Sequence, residues 1–126
     1  MQAEKGFSLI ELLVTMTLVT LLASMAYPSV QSQFGRSLMT EARLVLERWA
    51  MAQERSRLLN GHYMPLAQLQ AQVPLNDRLS DAFNASQVLS DDGLSFQLTL
   101  SPRDEDRPIK RLSLNHWGQL QTSYRW

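Results

Sequence analysis

Cysteine is absent from the 126-residue chain, which excludes disulfides, thiolate metal sites and cysteine nucleophiles and leaves the redox compartment open. Net charge is absent too, because 12 Lys and Arg balance 12 Asp and Glu. No global field therefore draws the molecule to nucleic acid or anionic lipid, and any such binding has to come from a local patch. Glycine is sparse, and its five occurrences at 6, 35, 61, 93 and 118 build neither a phosphate-cradling loop nor a serine elbow. His62 and His116 lack the i,i+4 spacing of a helical metal site. Asp91-Asp92-Gly93 and Asp104-Glu105-Asp106 lack the alternating ligands and distal bidentate acid of a calcium loop, and read as solvated turns. With no catalytic constellation, the expectation is a non-enzyme with no cofactor and no metal. The length leaves roughly a hundred residues for one small core beyond an N-terminal apolar segment.

That apolar segment is the dominant feature present. Residues 7–27 are almost wholly apolar, and roughly 21 residues at ~1.5 Å rise span the ~30 Å hydrocarbon core of a bilayer. Thr15, Thr17, Thr20 and Ser24 are compatible with lipid, since a hydroxyl can bond the carbonyl one turn earlier or a neighbouring helix. Glu11 has no such local escape, and an acid inside a span costs on the order of 2–3 kcal/mol at the centre. Either it sits high enough to reach the headgroups or it needs a cation, and only Lys5 is near in sequence. A cleaved signal peptide finds a small-x-small site in Ser24 and Ala26, which would free a secreted binding domain, but the apolar stretch is too long and Glu11 interrupts it. An uncleaved signal anchor has only Lys5 as a positive-inside cue. Neither accounts for Gly6 and Glu11. Pro28 removes the partner of the Ser24 carbonyl, so the helix kinks or loosens there, or else the proline marks the membrane exit.

Past Pro28 the apolar pattern becomes one-sided. Val30, Phe34, Leu38, Ala42, Val45, Trp49 and Ala52 recur every three or four residues, the stripe of an amphipathic helix. Asn60-Gly61 ends it, which makes one helix of some fifty residues, ~75 Å long. Gly35 weakens this helix by about 1 kcal/mol without ending it. Arg36, Arg43, Glu47, Glu54, Arg55 and Arg57 form its solvated face, with ion pairs such as Glu54–Arg57.

Residues 61–93 are rich in turns, with a helical turn expected at Leu66–Gln70 and a short edge strand near Gln87–Leu89. After Gly93 the period is two: Leu94, Phe96, Leu98 and Leu100 share one face of a strand, Leu112 and Leu114 face inward on the next, and Leu120, Thr122, Tyr124 and Trp126 align on the last. Three to four antiparallel strands with one apolar face need a cover, and the helical stripe is the long apolar surface available. The fold class is α+β: a long N-terminal helix, membrane-spanning first and amphipathic second, packed on a small antiparallel sheet. Arg107, Lys110, Arg111, His116, Trp117 and Arg125 gather near strand ends as a candidate surface contact, able in principle to hold single-stranded nucleic acid by charge and stacking. Asp104–Asp106 dilute that potential, so nucleic acid ranks low among partners. Trp117 at a turn tip is either an exposed partner-binding indole or a folded-back core residue.

"KGFSLIELL" resembles the N-terminal signature of type IV prepilins, a short polar leader ending in Gly, then Phe, then an apolar helix with Glu fifth after the cut. The resemblance implies a leader at residues 1–6, cleavage after Gly6 by prepilin peptidase, and methylation of the new amino terminus on Phe7. It also supplies the missing cation: Glu11 would neutralise the amine of a neighbouring subunit and so fix the register, because a paired charge is tolerable in low dielectric where a single one is not. In this family the helix around a proline such as Pro28 can unwind within the fibre. "ERWAMAQERSRLLNGHYMPL" is similar to the helix end and NG-x-Tyr junction of E-like minor pilins of type IVa pili, and "FQLTLSP…LSLNHWGQLQTSYRW" to their last strands. The chain departs from those relatives in lacking their C-terminal cysteine pair, so burial and ladder hydrogen bonds must hold its end. The resemblance divides the chain into leader 1–6, transmembrane and filament-core helix 7–28, amphipathic head helix 29–60, and αβ loop with sheet 61–126. It implies a minor pilin that joins or primes type IV pili, with a pseudopilin of a type II secretion system as the alternative. Implied partners are other major and minor pilins, prepilin peptidase and the inner-membrane assembly platform. The implied location is the bacterial inner membrane, single-pass with the head in the periplasm, and then the extracellular pilus.

Overall fold

The computed structural model describes residues 6–123. It contains helices α1 (Leu9–Asn60), α2 (Leu66–Gln72) and α3 (Asp77–Ala82), then strands β1 (Phe83–Leu89), β2 (Phe96–Pro102), β3 (Arg111–Asn115) and β4 (Leu120–Ser123). Two compact units divide the chain, Met1–Phe34 and Gly35–Trp126.

In the first unit α1 is nucleated by Ser8, whose hydroxyl accepts the Glu11 N–H at 3.2 Å while its carbonyl accepts the Leu12 N–H at 3.1 Å. The hydroxyls of Thr15, Thr17 and Thr20 donate to the carbonyls of Glu11, Leu13 and Met16 at 2.7, 2.8 and 2.7 Å, and Ser24 donates to Leu21 at 2.7 Å. These hydroxyls are thus satisfied within the helix, as lipid requires. Pro28 lies inside α1, and the helix continues through it.

In the second unit α1 buries Gly35, Ala42, Val45, Leu46, Trp49, Gln53 and Ser56 along one face. Val30 and Phe34, placed on this stripe by periodicity, are exposed members of the first unit, while Leu46 is fully buried and Ala52 only partly. Gly35 stands at the start of the packed face, where another segment comes close: a Cβ on it would lie 3.0 Å from the Pro108 carbonyl oxygen. α1 ends where Gly61, at φ +81°, returns its N–H to the Arg57 carbonyl at 2.8 Å.

The strands form one antiparallel meander in the order β1-β2-β3-β4. Its covered face carries Phe83, Phe96, Leu98, Leu100, Leu112 and Leu114, which join Leu46, Trp49, Tyr63, Leu69 and Leu79 in one core. Each fully buried apolar side chain of this size contributes about 1.5–3 kcal/mol.

Three sequence expectations shift in the structure. β1 is a full strand from Phe83, not a short edge at 87–89; its alternation is hidden because inward Gln87 is polar and outward Val88 apolar. Leu94 lies in a turn and is half-exposed, since the Ser90 and Asp92 side chains capture the Leu94 and Ser95 N–H groups and hold them out of the ladder. Asn76-Asp77 opens α3 instead of making a loop turn, with the Asn76 side chain accepting the Leu79 N–H at 2.9 Å. On β4, Leu120 and Thr122 pair with Leu114 and Leu112 as the alternation requires, with Leu120 partly buried; Tyr124 and Trp126 lie outside the described residues.

Candidate functional site

The N-terminal site is built by the start of α1. Gly6 and Phe7 precede the helix in an exposed segment without regular structure, with Phe7 at 85% exposure. Glu11 sits in the first turn, where the helix N-terminus favours a carboxylate, and the carboxylate has no hydrogen bond or ion pair among the described residues. Every described residue from 6 to 34 is exposed, including Leu9, Ile10, Leu13, Met16, Leu22 and Met25. An apolar surface all round a helix of this length belongs in lipid or among other helices, and α1 is long and apolar enough to cross a membrane.

The head presents a different kind of site, a set of side chains on α1 that hold the following loop. Fully buried Gln53 reads both polar atoms of the Met64 backbone, donating to its carbonyl and accepting its N–H, each at 2.8 Å. Gln87 donates to the same carbonyl from β1 at 3.1 Å. Ser56 donates to the His62 carbonyl at 3.0 Å, and the Trp49 indole to Val73 at 2.8 Å. Sequence pattern misses Gln53 because a glutamine on an otherwise apolar face resembles a boundary position; its i+4 spacing from Trp49 was the available signal. Glu54 and Arg57, expected as an ion pair, instead meet at the Tyr63 hydroxyl, which donates to Glu54 at 2.9 Å and accepts from Arg57 at 3.2 Å. Burial, followed by the Glu54 hydrogen bond, raises the Tyr63 phenol above its ordinary 10.0, and Arg57 works against this.

The turn after β1 docks on this loop through the Tyr63 N–H, which donates to Gly93 at 3.0 Å. Within it the Ser90 hydroxyl and the Leu94 N–H donate to Asp92, lowering its carboxyl below 3.8. Among the described residues no group of three or more His, Asp or Glu side chains is placed to hold a metal.

The candidate surface contact separates into two places. Arg107, Lys110 and Arg111 lie at the start of β3, where Arg107 is 3.8 Å from Asp104. The Arg111 Nε is shielded from water without a hydrogen-bond partner among the described residues. His116 and Trp117 lie past the other end of that strand, and Trp117 is 74% exposed. Five residues of strand separate the two, about 17 Å at ~3.3 Å per residue. Arg125 lies outside the described residues.

Residues 1–27 match the model of the prokaryotic N-terminal methylation motif. Over 124 residues the chain is 28% identical to a fimbrial protein of Neisseria meningitidis serogroup B, covering 98% of this chain and 71% of that protein. Its fold matches a type IV pilin of Shewanella oneidensis with a TM-score of 0.51 at 25% identity, covering 68% of this chain and 88% of that one. The motif match falls on an N-terminus that runs into an exposed apolar helix, followed by a helix-backed antiparallel sheet. The chain thus carries the methylation motif at its N-terminus and is similar to a fimbrial protein in sequence and to a type IV pilin in fold.

Proposed function

We propose that the chain is a minor type IV pilin, cleaved after Gly6, methylated on Phe7, held in the inner membrane by the first part of α1 with its head in the periplasm, and then drawn into a fibre. Glu11 registers it there against the amino terminus of a neighbouring pilin. The observation that carries this reading is the exposed apolar helix surface interrupted by one carboxylate in the first turn, with no partner for it among the described residues. Desolvating that carboxylate beside an ammonium is tolerable, whereas a stagger that leaves it unpaired is penalised. Pro28 is the place where this helix yields during assembly, since its ring removes one internal hydrogen bond. The fimbrial protein and type IV pilin among the relatives support a pilus over a type II secretion pseudopilus. Minor status rests on the Asn60-Gly61-His62-Tyr63 junction and the closing strands that resemble E-like subunits. In this reading the head contributes contacts, not chemistry: Met51 and Leu58 are exposed on α1 beside an apolar groove of about 400 Å³, a surface suited to a neighbouring head. Mass spectrometry of the mature amino terminus tests processing; methylated Phe7 is expected, and a chain starting at Tyr27 contradicts it.

A further inference from the structure

We propose that the groove on the open face of the sheet, beside the β3–β4 turn, binds a neutral sugar with one pyranose ring stacked on the Trp117 indole. This inference goes beyond filament assembly and depends on neither cleavage nor Glu11.

The strand register defines the face. With Leu98, Leu100, Leu112 and Leu114 turned to the core, Gln97, Thr99, Ser113 and Asn115 point the other way, and Gln121 pairs beside Ser113. Gln97, Ser113, Asn115 and Gln121 floor a groove of about 430 Å³, within the size range of small-molecule sites. No Asp, Glu, Lys or Arg is found among its described lining residues, and His116 is the titratable group there. Besides the apolar Val88, Phe96 and Trp117, the groove offers amides and hydroxyls, which donate and accept at once. That matches a ligand whose rim is dense in hydroxyls and whose ring faces are C–H.

The indole is held in place. Asn115 organises the turn: its Oδ1 accepts the Trp117 N–H at 3.1 Å and the Gln119 N–H at 3.0 Å, and its carbonyl accepts from Gly118, at φ +74°, at 2.9 Å. The Trp117 ring lies 4.3 Å from His116, which meets Phe96 edge-on at 6.4 Å, and Phe96 packs on Tyr63 at 4.7 Å. A ring still 74% exposed despite this support is a prepared stacking surface. The amides are partly set as well, with Gln97 Nε2 donating to Ser113 at 2.8 Å and Asn115 Nδ2 to Gln119 at 3.1 Å. Among the described residues the Gln97 Oε1, the Gln119 Nε2 and the Gln121 amide have no hydrogen-bond partner, which leaves them to a ligand.

Other occupants fit less well. Single-stranded nucleic acid needs cations beside the stacking ring, and Arg107, Lys110 and Arg111 stand at the far end of β3. A peptide strand adds to a sheet edge, where main-chain groups are free, and not to a face.

The test uses the full mature chain, labelled with ¹⁵N, in a zwitterionic detergent without a sugar headgroup. Lactose and N,N′-diacetylchitobiose are titrated in separate arms, which distinguishes a hydroxyl-only from an N-acetylated ligand. Saturable shifts are expected for at least one sugar at the Trp117 indole N–H and the Gln97 and Gln121 side-chain amides, with the buried Trp49 indole unmoved. Trp117→Ala weakens binding at least about tenfold with an unchanged melting temperature, and Trp117→Phe weakens it less. The proposal is overturned by no saturable shift with either sugar at tens of millimolar, by shifts that persist in Trp117→Ala, or by Trp117-dependent binding of oligo-dT in place of both sugars.

Discussion

In the unit Met1–Phe34, side-chain hydroxyls and backbone carbonyls of one helix satisfy each other while every described side chain faces outward. In the unit Gly35–Trp126, the same helix buries one face and spends its polar residues on neighbours: Gln53 on Met64, Ser56 on His62, Trp49 on Val73. One unit satisfies its hydroxyls internally and leaves its apolar surface uncovered, so it needs lipid or other helices. The other carries its own core.

Truncation inside each unit breaks this comparison most sharply. Trp49→Ala removes a fully buried indole and should lower head stability by about 3–5 kcal/mol. Leu18→Ala, at an exposed position of the first unit, should leave it within about 0.5 kcal/mol. Denaturant unfolding of the full chain in detergent, followed by near-UV circular dichroism, checks both, and equal losses would erase the distinction. Gln53→Ala strands the Met64 N–H, although Gln87 still reaches the carbonyl. About 1–3 kcal/mol should be lost, read in the same experiment.

The smallest effects concern pH. Tyr63 has a raised folded-state pKa, so its stabilisation is full below pH 10.0 and is lost as the pH rises through the folded-state value. Asp92 has a lowered one, so its contribution is present above about pH 3.8 and is lost as the pH falls through the folded-state value. Tyr63→Phe should flatten the alkaline limb of melting temperature against pH, and Asp92→Asn the acid limb. A limb unchanged by its substitution would remove that residue from the account.

What was legible in the sequence follows from how each residue is used. The span, the Asn60-Gly61 stop and the inward leucines of β2 and β3 were readable because period and glycine conformation decide them locally. β1 was partly hidden, since Gln87 faces inward to serve a carbonyl 23 positions away in sequence. Leu94 was misplaced because two side chains of its own turn outbid the ladder for its backbone. The i+4 spacing from Trp49 could place Gln53 on the buried face, but its partner Met64, like the split of Arg111 from Trp117, depends on which segments meet in three dimensions. The exposure of Trp117 was left open by sequence and is decided by the Asn115-centred turn. Gly6 and Phe7, the proposed processing residues, were visible only as a motif, for which local geometry supplies no marker.

The central claim is that the Glu11 carboxylate sets subunit register, and incorporation of Glu11→Val into fibres tests it most directly. With membrane insertion and leader cleavage intact in both chains, the amount of variant recovered in sheared pili should fall well below that of the unsubstituted chain. Recovery at the same level would contradict the claim.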